Sequence, residues 1–93
     1  MNKLTVFYLE GCPYCRSAVR AVRELEKELP AFSADRIDWI EERRNADIAD
    51  RYDYYHVPSV FYQGRKLYEC SPSDDDAVIK AQMKRAVETM LFS

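Results

Sequence analysis

Leu4-Thr5-Val6-Phe7-Tyr8-Leu9-Glu10-Gly11-Cys12-Pro13-Tyr14-Cys15 is the stretch on which the fold turns. Its first part, Lys3 to Leu9, is rich in Val, Phe, Tyr and Leu, is too short for a helix, and stops at Glu10-Gly11, so it reads as a buried strand. From Pro13 the apolar period changes to that of a helix. Cys15, Ala18, Val19, Val22, Leu25 and Leu29 share one face, and Arg16, Arg20, Arg23, Glu24, Lys27 and Glu28 take the rest. Pro13 suits the first helical turn, where its missing N–H has no partner to lose, and Pro30 ends the helix. The strand-to-helix junction therefore carries two thiols two residues apart, the first of them at the positive end of a helix dipole. That placement lowers a thiol pKa and makes a nucleophile of it.

Working outward, Ile37 to Glu41 suggests a second strand, and Asn45 an N-cap for a short helix containing Ala46, Ile48, Ala49 and Tyr52. Val57 to Tyr62 is a β-branched and aromatic run; Gln63-Gly64 then turns it into Arg65 to Cys70, a hairpin signal. Ser73 is the expected cap of a last helix, with Asp74, Asp75 and Asp76 in its first turn, where the dipole favours negative charge. Ile79, Met83, Ala86, Val87 and Met90 make its apolar stripe. The order is βαβαββα. Its first half is a βαβ unit with parallel strands and an expected right-handed crossover; an antiparallel hairpin and a covering helix follow.

The bulk numbers bound the function. Residues 1–93 suffice for one small domain with one core. The balance of 47% hydrophobic and 32% charged residues is that of a soluble globular chain, and a net charge of −2 argues against nucleic acid as partner. No apolar run approaches the roughly 20 residues that cross a bilayer. The N-terminal stretch is too short for a signal peptide, so a cytoplasmic location with a reducing thiol pool is expected. Three cysteines leave one unpaired in any disulfide scheme, which disfavours a structural disulfide framework.

Gly11-Cys12-Pro13-Tyr14-Cys15 and Val57-Pro58-Ser59-Val60-Phe61-Tyr62-Gln63-Gly64, set in that element order, resemble the dithiol glutaredoxins of the thioredoxin superfamily. The similarity in layout covers nearly the whole chain. It implies an α/β, thioredoxin-like fold: a mixed four-stranded sheet flanked by helices. It implies a thiol–disulfide oxidoreductase in which Cys12 attacks a protein disulfide or glutathione mixed disulfide and Cys15 resolves the product. It also implies a cis peptide bond at Pro58, facing the cysteines and leaving the Val57 backbone open to pair with a substrate as a short strand does. Glutathione is the implied reductant, with no bound cofactor, and a monomer that meets disulfide-containing proteins and a reductase is the expected state.

Three positions depart from the family pattern. Leu9 stands where glutaredoxins usually carry a lysine that holds a glutathione carboxylate. His56 replaces the threonine of Thr-Val-Pro, and Tyr68-Glu69 replaces a Gly-Gly that lets the tripeptide approach the backbone. Tyr68 and Glu69 are thus expected to crowd or repel glutathione, while Ser73 and Asp74 are the candidates for gripping its γ-glutamyl end. Leu9, Tyr68 and Glu69 favour an alternative, a thioredoxin-like donor recycled by a flavoprotein reductase, while Pro13-Tyr14 favours glutaredoxin.

Around the thiols, Tyr14 either shields the pair and lines the groove or is a rim aromatic. Arg16 and Arg20 add positive potential near Cys12 or form a solvated face. His56, the lone histidine, stabilises the Cys12 thiolate, bonds substrate, or is a plain loop residue. Cys70 reads as a buried hydrophobe more readily than as a regulatory thiol. A zinc site of Cys12, Cys15, His56 and Cys70 has irregular spacing and would block Cys12 from attack, and the stiff Pro13 disfavours an iron–sulfur cluster. No metal site is assigned.

Overall fold

The computed structural model describes residues 2–93. The chain runs β1 (Leu4–Tyr8), α1 (Pro13–Glu28), a 3-10 turn (Ala34–Arg36), β2 (Ile37–Glu41), α2 (Ala46–Ala49), β3 (Ser59–Tyr62), β4 (Arg65–Glu69) and α3 (Asp76–Leu91). The sheet order is β2-β1-β3-β4. β1 pairs with β2 in parallel, because α1 carries the chain back between them, and with β3 antiparallel; β3 and β4 form the hairpin. This is the mixed four-stranded α/β sheet of a thioredoxin-like fold. Among the described residues, no helix is long and apolar enough to cross a membrane.

One face of the sheet carries the core. Leu4 and Val6 of β1 and Val60 and Tyr62 of β3 are buried against Ala18, Ala21, Val22 and Leu25 of α1 and Ile79, Met83, Ala86, Val87 and Met90 of α3. Within the expected α1 stripe, Val19 is only half-buried and Ala21 takes the inner place. The small Ala18 and Ala21 let α1 lie close to its neighbours.

The other face is covered mostly by aromatic rings, because α2 is a single turn. Phe7 stacks on Tyr54 with centroids 4.9 Å apart, and Tyr52 lies 4.7 Å from Phe7 and 4.8 Å from Phe61. Tyr52 therefore lies beyond α2, not within it as the sequence suggested. Asn45 is the N-cap by position only. Its carbonyl accepts from Ile48 and Ala49 N–H, but its side-chain amide donates to the Glu41 carbonyl at 3.0 Å instead of being available to cap.

Two further boundaries follow from local chemistry. Gln63 and Gly64 both have positive φ, 51° and 82°, which a two-residue hairpin turn needs to match the strand twist. At α3 the cap is Asp75, whose Oδ1 accepts from Val78 N–H at 2.9 Å, and not Ser73. Residues 71–74 form a turn of their own: Asp74 N–H donates to the Ser71 carbonyl, and Asp74 Oδ2 accepts from Ser71 N–H. Only Asp76 of the three aspartates lies inside the helix.

Candidate active site

Gly11, at φ +85°, turns the chain out of β1 so that Cys12 falls on the N-cap of α1. A side chain at position 11 would be strained in that left-handed conformation. Cys12 N–H reaches back to the Leu9 carbonyl at 3.2 Å, and the Cys12 carbonyl accepts the first helical bond, from Arg16 N–H at 3.1 Å. Pro13 follows as the first helical residue. Cys12 is half-buried and Cys15, one turn in, is 3% exposed. Both are free thiols here, as is Cys70.

The two thiols differ chemically. Burial pushes Cys15 up to about 12 from 9.0, with the neighbouring Cys12 adding to the rise and the Leu9 backbone opposing it. Cys15 is thus held protonated at neutral pH, while Cys12 lies nearer solvent at a helix N-terminus. Arg16 lies over the active-site turn, its Nη1 donating to the Gly11 carbonyl at 3.3 Å. Arg20 is occupied elsewhere, with Ser17 Oγ at 3.1 Å and Asp76 at 3.2 Å, tying α1 to α3.

A groove of about 220 Å³ has Leu9, Tyr14, His56, Val57, Cys70 and Pro72 in its lining. Tyr14 closes one wall by donating its hydroxyl to the Pro72 carbonyl at 2.9 Å. The Val57–Pro58 peptide bond is cis. The Pro58 carbonyl accepts from Cys70 N–H at 3.0 Å, which docks the start of β3 on the end of β4. His56 is exposed, its N–H on Glu69 and its carbonyl accepting from Ser59 Oγ. Ser73 is exposed and hydrogen-bonded to Ser71.

The two replacements at Tyr68-Glu69 are turned to internal use. Tyr68 donates its hydroxyl to Asp74 Oδ2 at 2.6 Å, and that bond with the Ser71 N–H holds the Asp74 carboxyl below the usual carboxylate range, Ser71 contributing most. Asp74 is thereby engaged within the protein. Glu69 was expected to repel an anionic tripeptide. Instead its carboxylate is compensated by the Lys66 ammonium at 2.8 Å and by the Tyr55 and His56 N–H groups. Cys70 is 2% exposed, its thiol donating to the Ser71 carbonyl at 3.4 Å; burial pushes it up, and Asp74 and Cys12 add to the rise. Among the described residues no group of three or more His, Cys, Asp or Glu side chains converges on a metal position, so Cys12, Cys15, His56 and Cys70 do not assemble into one.

One residue of the site escaped the sequence reading. Glu41 is 4% exposed, and its carboxylate accepts from Glu10 N–H at 3.0 Å, Arg43 N–H at 2.7 Å and Arg44 N–H at 3.2 Å. These bonds, the Glu10 one foremost, hold its carboxyl below the usual range and pin the segment that leads into Gly11-Cys12. The available signal was alternation: Glu41 shares a strand face with Ile37 and Trp39, which pack on the core.

No family model matches the chain. A thioredoxin of Methanocaldococcus jannaschii is 29% identical over 83 residues, covering 89% of this chain and 94% of that protein. A solved structure of a malarial protein superposes with a TM-score of 0.58 at 14% identity, over 94% of this chain and 98% of that one, a likeness of fold alone. The fold, and the modest similarity to the archaeal thioredoxin, support placing the chain in the thioredoxin superfamily.

Proposed function

We propose that this protein is a dithiol thiol–disulfide oxidoreductase of glutaredoxin type, reducing protein disulfides or glutathione mixed disulfides through Cys12 and Cys15. The observation that carries the reading is the asymmetry of the pair: Cys12 half-buried on the N-cap, Cys15 buried and held protonated one turn later. The Cys12 thiolate attacks one sulfur of the substrate disulfide. That S–S bond breaks, one substrate thiolate leaves, and a mixed disulfide forms on Cys12. Cys15 gives up its proton and attacks Sγ of Cys12, releasing the second substrate thiolate. The substrate has gained two electrons and the protein holds a Cys12–Cys15 disulfide, which two glutathione molecules reduce as they become glutathione disulfide. Tyr14, Val57 and Pro58 border the substrate; Ser73 and Asp74 are the glutathione-side candidates; Pro13, Arg16 and His56 modulate the thiolate. The protein acts as a cytoplasmic monomer with no resident cofactor, on disulfide-containing proteins and not on nucleic acid or membranes.

A second reading, a thioredoxin-like donor recycled by a flavoprotein reductase, is favoured by two observations. Leu9 supplies no charge for a glutathione carboxylate, and Asp74 is already engaged by Tyr68 and Ser71. The archaeal thioredoxin relative points the same way. The deciding experiment follows NADPH oxidation with hydroxyethyl disulfide supplied as the terminal oxidant, the protein being recycled by glutathione with glutathione reductase, or by thioredoxin reductase alone. Fast turnover with glutathione, lost in Cys12→Ser and kept in Cys15→Ser because Cys12 alone suffices for glutathione mixed disulfides, supports the first reading. Reduction by thioredoxin reductase alone supports the second, and reduction by neither refutes both.

A further inference from the structure

The segment leading to Val57 contains no strand or helix after α2, so no ladder fixes its course. Two side chains of β4 do so instead. Glu69 Oε2 accepts from both Tyr55 N–H and His56 N–H, each at 3.0 Å. Glu69 Oε1 accepts from Lys66 Nζ at 2.8 Å, and the same ammonium donates to the Asp53 carbonyl at 3.1 Å. One ion pair thus grips residues 53, 55 and 56, immediately ahead of the groove residue Val57. The side chains are 37% and 18% exposed, so the contact is partly shielded from solvent and salt. Bonds of N–H to carboxylate are charge-assisted and about twice as strong as neutral ones.

Lys66 and Glu69 lie three residues apart on β4, on either side of a register irregularity, and Glu69 pairs across the ladder with Ser59. The carboxylate therefore moves with β4, and the loop moves with the carboxylate. We infer that the Lys66–Glu69 pair is a positioning device for the backbone at Val57, which selects polypeptide disulfides over small ones. This rests on the oxidoreductase reading above. A polypeptide substrate that adds to Val57 as a strand does needs that backbone held in direction and register. A small disulfide needs only access to Cys12. The clamp therefore acts on one class of substrate and is indifferent to the other. It also explains how a charged residue occupies the place of a family glycine without facing the groove.

The test uses the full chain with Glu69→Ala, Glu69→Gln and Lys66→Met, assayed on a cystine-linked peptide and on hydroxyethyl disulfide. Two further readouts are Cys12 alkylation by iodoacetamide and amide hydrogen exchange at Tyr55 and His56. Glu69→Ala is expected to raise KM for the peptide about tenfold, with kcat, hydroxyethyl disulfide turnover and Cys12 alkylation within about twofold of the parent. The two amides should exchange faster. Glu69→Gln keeps a carbonyl oxygen for both N–H groups and should recover most of the loss. Lys66→Met, which keeps the carboxylate, should fall between and serves if Glu69→Ala does not fold. An equal loss on both substrates, or an unchanged peptide KM with faster amide exchange, overturns the inference. A parent protein inactive on both disulfides overturns the oxidoreductase reading and this inference with it; a parent active on both with no change of preference in the variants overturns this inference alone.

Discussion

Thiol reactivity offers the sharpest trial of the proposed roles of Cys12 and Cys15. The perturbation is alkylation of the reduced protein with iodoacetamide between pH 6 and pH 10, in the parent and in Cys12→Ser and Cys15→Ser. Burial, the largest cause, and then the neighbouring Cys12 carry Cys15 from 9.0 to about 12. At pH 8 a thiol titrating at 9.0 is about one-tenth thiolate, whereas one titrating at 12 is about one part in ten thousand. Cys15 should therefore carry roughly a thousandfold less thiolate than a free cysteine of the ordinary kind and react well over tenfold more slowly, the greater nucleophilicity of a high-pKa thiolate offsetting part of the loss, before any further loss from its 3% exposure. Its rate should still be rising with pH at pH 10. Peptide mapping by mass spectrometry separates the sites and should find Cys12 modified first throughout. A Cys15 rate within tenfold of free cysteine, or a plateau below pH 10, would refute the reasoning. The same geometry has a catalytic corollary. Once Cys12 is in a mixed disulfide, its charge and its hydrogen bond to Cys15 are gone, and both had raised the Cys15 pKa. Attack on the substrate thus eases the deprotonation that resolution requires, and the resolving step should accelerate as pH rises.

Other expectations concern stability and the reductant. Leu25→Ala empties a site that is 0% exposed in the core, so it should cost about 2–5 kcal/mol, read as a lower urea midpoint at unchanged slope. Glu41 has its carboxyl depressed below 4.5 by the Glu10 N–H and its neighbours, so its contribution is present above that value and is lost as pH falls through the folded pKa. The urea midpoint of the parent should drop between pH 5 and pH 3, and Glu41→Gln should show a shallower drop; parallel profiles would speak against it. Leu9→Lys restores a cation near the groove and should lower the KM for glutathione by about fivefold, the scale of an exposed ion pair. No change there would favour the flavoprotein-linked reading.

Much of the architecture was legible because it depends on local periodicity and on residues with special backbone demands. The change of period at Pro13, the stop at Pro30 and the Gln63-Gly64 turn locate α1 and the β3–β4 hairpin to within a residue or two. The misplacements share a cause. Ser73 is a good cap by type, yet the turn at 71–74, tied by Asp74 to Tyr68, moves the cap to Asp75. Tyr52 fits a helical period, yet the open sheet face at Phe7 and Phe61 claims its ring. In each case a tertiary partner outweighed a local preference of about a kilocalorie or less.

The site divides along the same line. Cys12, Pro13 and Cys15 are neighbours in the chain, so their spacing alone determined which thiol caps the helix and which lies one turn inside it. The roles of Glu41 and Glu69 are different in kind. Glu41 serves a backbone N–H 31 residues away, and Glu69 serves two that lie 13 and 14 residues away. A carboxylate looks alike in a sequence whether it faces solvent, repels a ligand or holds a loop. Only the folded chain decides, because the N–H groups of Glu10, Tyr55 and His56 are brought within 3.0 Å of these carboxylates by the tertiary fold, even though Arg43 and Arg44 beside Glu41 also contribute to it.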